Sequence, residues 1–168
     1  MMRRLILMRH AKSDWDDPAL ADHDRPLNNR GRKVARLMGG WLLAQALIPD
    51  VALVSSARRT RETWEGLTAD WPRPLPEVRF LQELYTAPPA QVMDFVARET
   101  APTLMVLGHN PGLAEVAQRL VAEPPAHPKF ARFPTGATLV AEFDAADWAD
   151  AVRGRGRASI FVVPRDLG

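Results

Sequence analysis

Three short apolar runs stand out along the chain: Leu5-Ile6-Leu7-Met8, Val51-Ala52-Leu53-Val54 and Thr103-Leu104-Met105-Val106-Leu107. Each is continuous rather than alternating and stops at polar residues, which predicts strands buried on both faces. Val78 to Leu81 reads as a weaker strand, and two late strands are predicted at about 137 to 143 and 158 to 163. Between these runs the apolar spacing changes to a helical one. Val34, Leu37, Met38, Trp41 and Leu42 fall on one face of a helix that starts near Asn28 or Asn29, both good caps, and is ended by Pro49. Gly39-Gly40 inside it costs about 1 kcal/mol each, which predicts close packing at that point. Ser55-Ser56 is a candidate cap for a second helix from about Ala57 to Ala69. Val92, Phe95 and Val96 mark a third near 89 to 99, and Leu113, Val116, Ala117 and Leu120 mark a fourth.

Strands alternating with helices predict an α/β fold: a single three-layer α/β/α domain over residues 1–168, with a mostly parallel central sheet and helices on both faces. No repeat or linker divides the chain, and its length suits one core. Asp14 to Pro26 is a polar loop, and the proline-rich pieces at 72 to 76 and 124 to 128 are loops as well. Arg153-Gly154-Arg155-Gly156-Arg157 has the look of an RNA-binding tract but is short, and a turn before the last strand accounts for it.

Composition narrows the function. Hydrophobic residues make up 46% and charged residues 25%, the balance of a soluble globular protein. No apolar run approaches the roughly 20 residues of a membrane span or the apolar stretch of a signal peptide, so a cytoplasmic protein without a membrane partner is expected. The absence of cysteine excludes disulfides and thiolate metal sites, and four histidines leave little for a metal centre. A net charge of +2 is too small for nucleic-acid binding by bulk charge. Arginine is nonetheless the main base, with Lys12, Lys33 and Lys129 the only lysines. Its planar fork suits carboxylates and phosphates, although a GC-rich coding bias gives the same composition.

The chemistry gathers at the ends of the three apolar strands. The first runs into Arg9-His10, the second into Ser55-Ser56 with Arg58, Arg59 and Arg61 beyond, the third into Gly108-His109-Asn110-Pro111-Gly112. If the strands are parallel, these ends meet at the sheet edge where α/β proteins bind ligands. Asn110-Pro111 reads as a cap and first helical position, which puts His109 beside a helix N-terminus that favours anions. Two arginines and such a terminus describe a pocket for a dianion, most simply a phosphoryl group. A histidine beside it is a candidate nucleophile, kept neutral by the neighbouring cations.

At this point the chain resembles the histidine phosphatase superfamily, the phosphoglycerate-mutase-like proteins. The resemblance is carried by Leu7-Met8-Arg9-His10-Ala11, Arg25-Pro26-Leu27 with Gly31, Val54 through Thr63, and Leu107-Gly108-His109-Asn110. Within the family it is most like the short SixA-like phosphohistidine phosphatase branch, to which the chain length and Leu84-Tyr85-Thr86-Ala87 also point. The resemblance implies that His10 is a nucleophile phosphorylated in passing, that Arg9 and Arg59 bind phosphate, and that His109 binds the phosphoryl oxygens. Arg59 is chosen because it stands four residues before Thr63. Asn110 is a further phosphate-binding candidate, and Glu83 lies where relatives carry the proton donor. Ala11 departs from the usual glycine, for which a small local adjustment is expected. Lys12 is either a further cation at the mouth or a solvated side chain.

The resemblance thus implies a phosphatase without metal or cofactor that works in two steps: His10 attacks phosphorus, and water then hydrolyses the phosphohistidine. Glu83 would protonate an alkoxide leaving group. Imidazole, with a conjugate-acid pKa of about 6.5, depends on such help far less. Only residues 60 to 82 separate Arg59 from Glu83, leaving little room for a lid. The expected partner is therefore a phosphorylated protein carrying phosphohistidine. The alternatives are a small phosphorylated metabolite (a sugar phosphate, nucleotide or polyphosphate) and a non-catalytic phosphate-recognition module.

Overall fold

The structure, a computed structural model, describes residues 1–168. Six strands form one sheet: β1 Met2–Arg9, β2 Val51–Ser55, β3 Glu77–Leu81, β4 Thr103–Gly108, β5 Thr138–Asp144 and β6 Arg157–Val162. Their order is β3-β2-β4-β1-β5-β6. The first four in this order are parallel, while β5 lies antiparallel to β1 and β6 antiparallel to β5. Five helices accompany them: α1 Asn29–Ala44, α2 Arg58–Thr68, α3 Pro89–Ala97, α4 Gly112–Leu120 and α5 Trp148–Arg153. No helix is long and apolar enough to cross a membrane.

The unbroken apolar runs follow from this layering. Side chains alternate across a strand, so a strand covered on both faces must be apolar at every position. Leu5 and Leu7 of β1 enter the core with Leu53, Val106 and residues of α3, α4 and α5. Ile6 and Met8 enter the opposite core with Val54, Leu107 and residues of α1 and α2. On the edge strand β3, Phe80 stays 46% exposed, which is why its pattern is weak.

The Asn28 side chain caps α1, accepting from the Gly31 amide at 2.7 Å. The helix ends at Ala44, before Pro49, and Ala46 adopts φ 56° in the turn. Its buried stripe is Gly31, Ala35, Met38, Gly39 and Leu42, so the expected apolar face is rotated: Leu37 is exposed. The expected close packing is real at Gly39, where a Cβ would lie 2.1 Å from the Leu67 carbonyl oxygen of α2, and absent at Gly40, which faces open space. No side chain caps α2. The α5 helix is an addition to the expected elements, capped by Asp147, whose carboxylate accepts from the Asp150 amide at 2.7 Å. The Arg153–Arg157 tract is the end of α5 and the turn into β6.

Candidate active site

Parallel pairing carries β1, β2 and β4 to the same edge of the sheet. Arg9 is paired with Gly108, and the His10 amide donates to the Gly108 carbonyl at 3.1 Å. Arg9, His10, Arg59 and His109 all line one cleft of about 250 Å³ at this edge. Arg25, Lys12 and Asn110 share its wall.

His10 is 5% exposed. Its Nδ1 lies 2.7 Å from the Ala11 carbonyl oxygen, which can only accept, so Nδ1 carries the proton and the Nε2 lone pair is left for chemistry. The Ala11 amide donates to Thr63 Oγ1 at 3.1 Å, and Thr63 Oγ1 donates to the Arg59 carbonyl at 2.7 Å. The loop after His10 and the first turn of α2 are thereby one frame. The Ala11 methyl is fully buried with Leu27 and Ala35, so alanine in place of glycine fills a small apolar cluster. Burial pushes the His10 pKa down to about 3; the Ala11 carbonyl opposes this, and Arg59, Arg9 and Arg25 add to it. Desolvation thus leads, with the cations behind it.

His109 stands with its ring centroid 5.2 Å from that of His10. Its Nε2 meets Ser55 Oγ at 2.7 Å, and Ser55 Oγ accepts from the Ala57 amide at 3.3 Å. Directing the Ser55 proton to His109 Nε2 satisfies all three groups and leaves the His109 proton on Nδ1. That Nδ1, with Arg9 Nε and Arg59 Nε, is buried and receives no acceptor from the protein. Buried donors ordinarily have partners, and these three belong to residues that line the cleft, which favours an anion there. Burial, then His10 and Arg59, push the His109 pKa to about 3 as well.

Asp22, in a 3-10 turn over Asp22–Asp24, organises the arginines. Arg59 donates to its backbone carbonyl at 2.8 Å and to Oδ2 at 3.1 Å, while Arg25 donates to Oδ1 at 3.1 Å. The Tyr85 hydroxyl donates to Oδ2 through a short hydrogen bond. That hydroxyl, then Arg59 and Arg25, hold the Asp22 carboxyl far below the usual range, against the effect of burial. Burial and Asp22 raise Tyr85. The Arg25 guanidinium also lies over the exposed Trp15 ring, 3.3 Å from its centroid. Lys12, Arg9, Arg25 and Arg59 together oppose a single carboxylate, a balance suited to a dianion.

The expected residues divide. Arg9, His10, Arg59 and His109 come together. Asn110 reaches the cleft, but its amide donates to the Arg132 and Phe133 carbonyls at 2.9 and 2.8 Å, and its oxygen accepts from the Ala114 amide at 3.3 Å. Both its N–H groups are committed, which makes it a brace between α4 and the loop before β5 rather than a phosphate ligand. It also precedes the N-cap, which is Pro111. Glu83 sits in a 3-10 turn over Gln82–Leu84, exposed and off the cleft wall, and its carboxylate has no partner. Two residues later Tyr85 reaches inward instead. Asp22 and Tyr85 are members to which strand-end reasoning gave no role, and Ser55, expected as a helix cap, instead meets His109. For Asp22 and Ser55 the one sequence signal is position: Asp22 is three residues before Arg25-Pro26-Leu27, and Ser55 closes β2.

Two neutral histidines beside a half-buried Arg9 and a buried Arg59, at the carboxyl edge of a parallel sheet, make a pocket suited to a phosphoryl group. The model of the histidine phosphatase superfamily (branch 1) matches residues 5–88, and the chain belongs to that superfamily. Its place there is the SixA-like branch. A protein assigned as phosphohistidine phosphatase SixA from Nakamurella multipartitia is 28% identical with a TM-score of 0.84, over 98% of this chain and 97% of that one. Another so assigned, from Agrobacterium tumefaciens, is 25% identical with a TM-score of 0.81, over 96% and 98%. A Mycobacterium tuberculosis protein without an assigned function is 37% identical over 94% of this chain and all of its own length. The chain is accordingly a histidine phosphatase.

Proposed function

We propose that this phosphatase removes phosphoryl groups from histidine side chains of proteins, with His10 as the transient carrier. In the first step the Nε2 lone pair of His10 attacks phosphorus while the bond from phosphorus to the substrate nitrogen breaks. Arg9, Arg59 and the Nδ1–H of His109 stabilise charge on the equatorial oxygens. In the second step water attacks the phosphorus on His10, and the ring leaves as neutral imidazole because Nδ1 keeps its proton against the Ala11 carbonyl. Asp22 and Tyr85 hold Arg59 in place.

One observation supports this choice of substrate: no carboxylic acid lines the cleft to protonate a leaving group. Glu83 is outside, Asp22 is held ionised, and both histidines are held neutral. An alkoxide cannot depart easily without a proton. The substrate imidazole takes its own from water, since its second nitrogen protonates near pH 6.5. The openness of the site fits as well, because α2, a short loop and β3 use up residues 58–81 and none of them forms a lid.

The test compares a phosphohistidine peptide, p-nitrophenyl phosphate and an alkyl phosphate, with His10→Ala as the blank. The expected order of kcat/KM is phosphohistidine, then aryl, then alkyl, the last lower by about a thousandfold, the middle of the range an acid catalyst contributes. Mass spectrometry should find phosphate on His10. An alkyl phosphate such as a sugar phosphate turned over as fast as the peptide would instead make the substrate a small metabolite.

A further inference from the structure

A second cavity, of about 200 Å³, adjoins the catalytic cleft. Lys12 and Thr135 line both. Its other charged walls are Arg30 from the start of α1, Lys129 from the loop before β5, and Arg165 from the C-terminal 3-10 turn Pro164–Leu167. Four cations from four separate segments thus face one groove, and no carboxylate lines it. Some arginines elsewhere meet acids, among them Arg4, Arg36, Arg58, Arg79 and Arg157. Lys12, Arg30, Lys129 and Arg165 form no ion pair. The nearest carboxylate, Asp166, bonds His127 Nε2 and the Val163 amide, each at 2.9 Å, and feels the charge of Lys129, but it is not on the groove wall. Leaving like charges together unpaired costs stability, so the cluster calls for an anionic partner.

The character of the groove says which anion. In the catalytic cleft Arg25 and Arg59 are buried and Arg9 is half-buried, and Arg9 and Arg59 each keep an orphaned Nε donor. In the groove Lys12, Arg30 and Arg165 are exposed and Lys129 half-buried, and no orphaned buried donor belongs to its wall. Exposed cations on long side chains hold an anion less rigidly than the buried arginines of the cleft do. They suit carboxylates on a protein surface that slides past, where complementary charge raises the rate of productive encounter. We infer that this groove receives acidic side chains flanking the phosphorylated histidine of a protein substrate, an inference that rests on the protein-phosphohistidine reading above.

The experiment uses two phosphohistidine peptides, one flanked by Asp and Glu and one by Asn and Gln, with p-nitrophenyl phosphate as a check of the catalytic cleft. The wild type is expected to prefer the acidic peptide in kcat/KM on the order of tenfold at low salt, with the preference shrinking as salt is added. In Lys129→Glu/Arg165→Glu the ratio should fall to one or invert, and in Lys129→Gln/Arg165→Gln it should fall part of the way. A ratio near one in the wild type, or one that the variants leave unchanged, overturns the inference while leaving the phosphohistidine reading intact. Turnover of p-nitrophenyl phosphate with neither peptide hydrolysed overturns the reading, and the inference with it. Tripolyphosphate hydrolysed faster than the acidic peptide, with that rate lost in the charge-reversed variant, makes the groove a second phosphate site and overturns the acidic-segment assignment.

Discussion

Holding two imidazoles neutral inside the cleft should make the protein sensitive to acid by an amount the geometry sets. In the unfolded chain each ring protonates near pH 6.5, whereas burial brings His10 and His109 down to about 3 in the folded protein. Between those limits the unfolded state binds more protons, so stability must fall as pH falls. Going from about pH 8 to about pH 5, where both folded rings stay neutral, the loss is about 2 kcal/mol for each ring. For both it is about 4 kcal/mol, a large share of the roughly 5–15 kcal/mol typical of a domain. The assay is urea unfolding across this range for the wild type and for His10→Gln/His109→Gln, with His23 and His127 present in both so that their contributions cancel. The window stays above the carboxylate range, where Asp22 would begin to add its own loss. The double variant should lose about 4 kcal/mol less than the wild type. Parallel curves would refute the reasoning, as would an NMR titration of the His10 ring in the folded protein with a midpoint near 6.5, because the nucleophile would then be largely protonated in mild acid.

Glu83→Gln should leave kcat/KM within about twofold on aryl and alkyl phosphates, since surface changes far from the chemistry have little effect. A loss as large as about a hundredfold on the alkyl ester alone would return Glu83 to the role of proton donor. Asp22→Asn should lower kcat on every substrate by about ten- to a hundredfold, by releasing Arg59 and Arg25, and steady-state assays with three leaving groups show whether the loss is uniform. Arg59→Lys should cost about a hundred- to a thousandfold in kcat, equally for nitrogen- and oxygen-linked phosphate, because it acts on oxygens common to both; an unequal loss would mean that Arg59 serves the leaving group. Gly39→Ala should destabilise by about 1–3 kcal/mol by overpacking against the Leu67 carbonyl, whereas Gly40→Ala, in open space, should stabilise by about 1 kcal/mol, and chemical denaturation of the pair reads the opposite signs.

The three central strands were legible because burial on both faces leaves a continuous apolar run that nothing else of that length explains. The α1 face was set wrongly for a related reason. Its closest contacts are made by Gly31, Ala35 and Gly39, small residues that bring helices together yet carry no weight in a hydrophobic pattern. The six residues of α5 are too few to show a period. In the site, the strand ends announced His10, Arg9 and His109 through topology alone. The clamp on Arg59 did not announce itself, because Asp22 lies 37 residues before it and 63 before Tyr85, and only the folded loops bring them together. Around Glu83 the sequence does not separate neighbours: the Glu83 carboxylate is exposed in a 3-10 turn, while two residues on the Tyr85 hydroxyl meets Asp22.

The arrangement has a chemical consistency that no single residue conveys. Transfer from a phosphohistidine substrate to His10 exchanges one bond between phosphorus and an imidazole nitrogen for another, so the two sides of the first step lie close in energy and no strong base is expelled. What remains to be catalysed is the charge on the three equatorial oxygens, and the buried donors of Arg9, Arg59 and His109 are matched to that charge. An added carboxylic acid would contribute little to such an exchange. In the cleft it would set a further negative charge, once ionised, against the incoming dianion. Asp22 avoids that conflict because its charge is taken up by two guanidinium groups and a phenol. On the proposed reading, a cleft without a free acid on its wall suits an exchange between imidazoles, whereas an alkyl ester would gain from an acid placed beside its leaving oxygen.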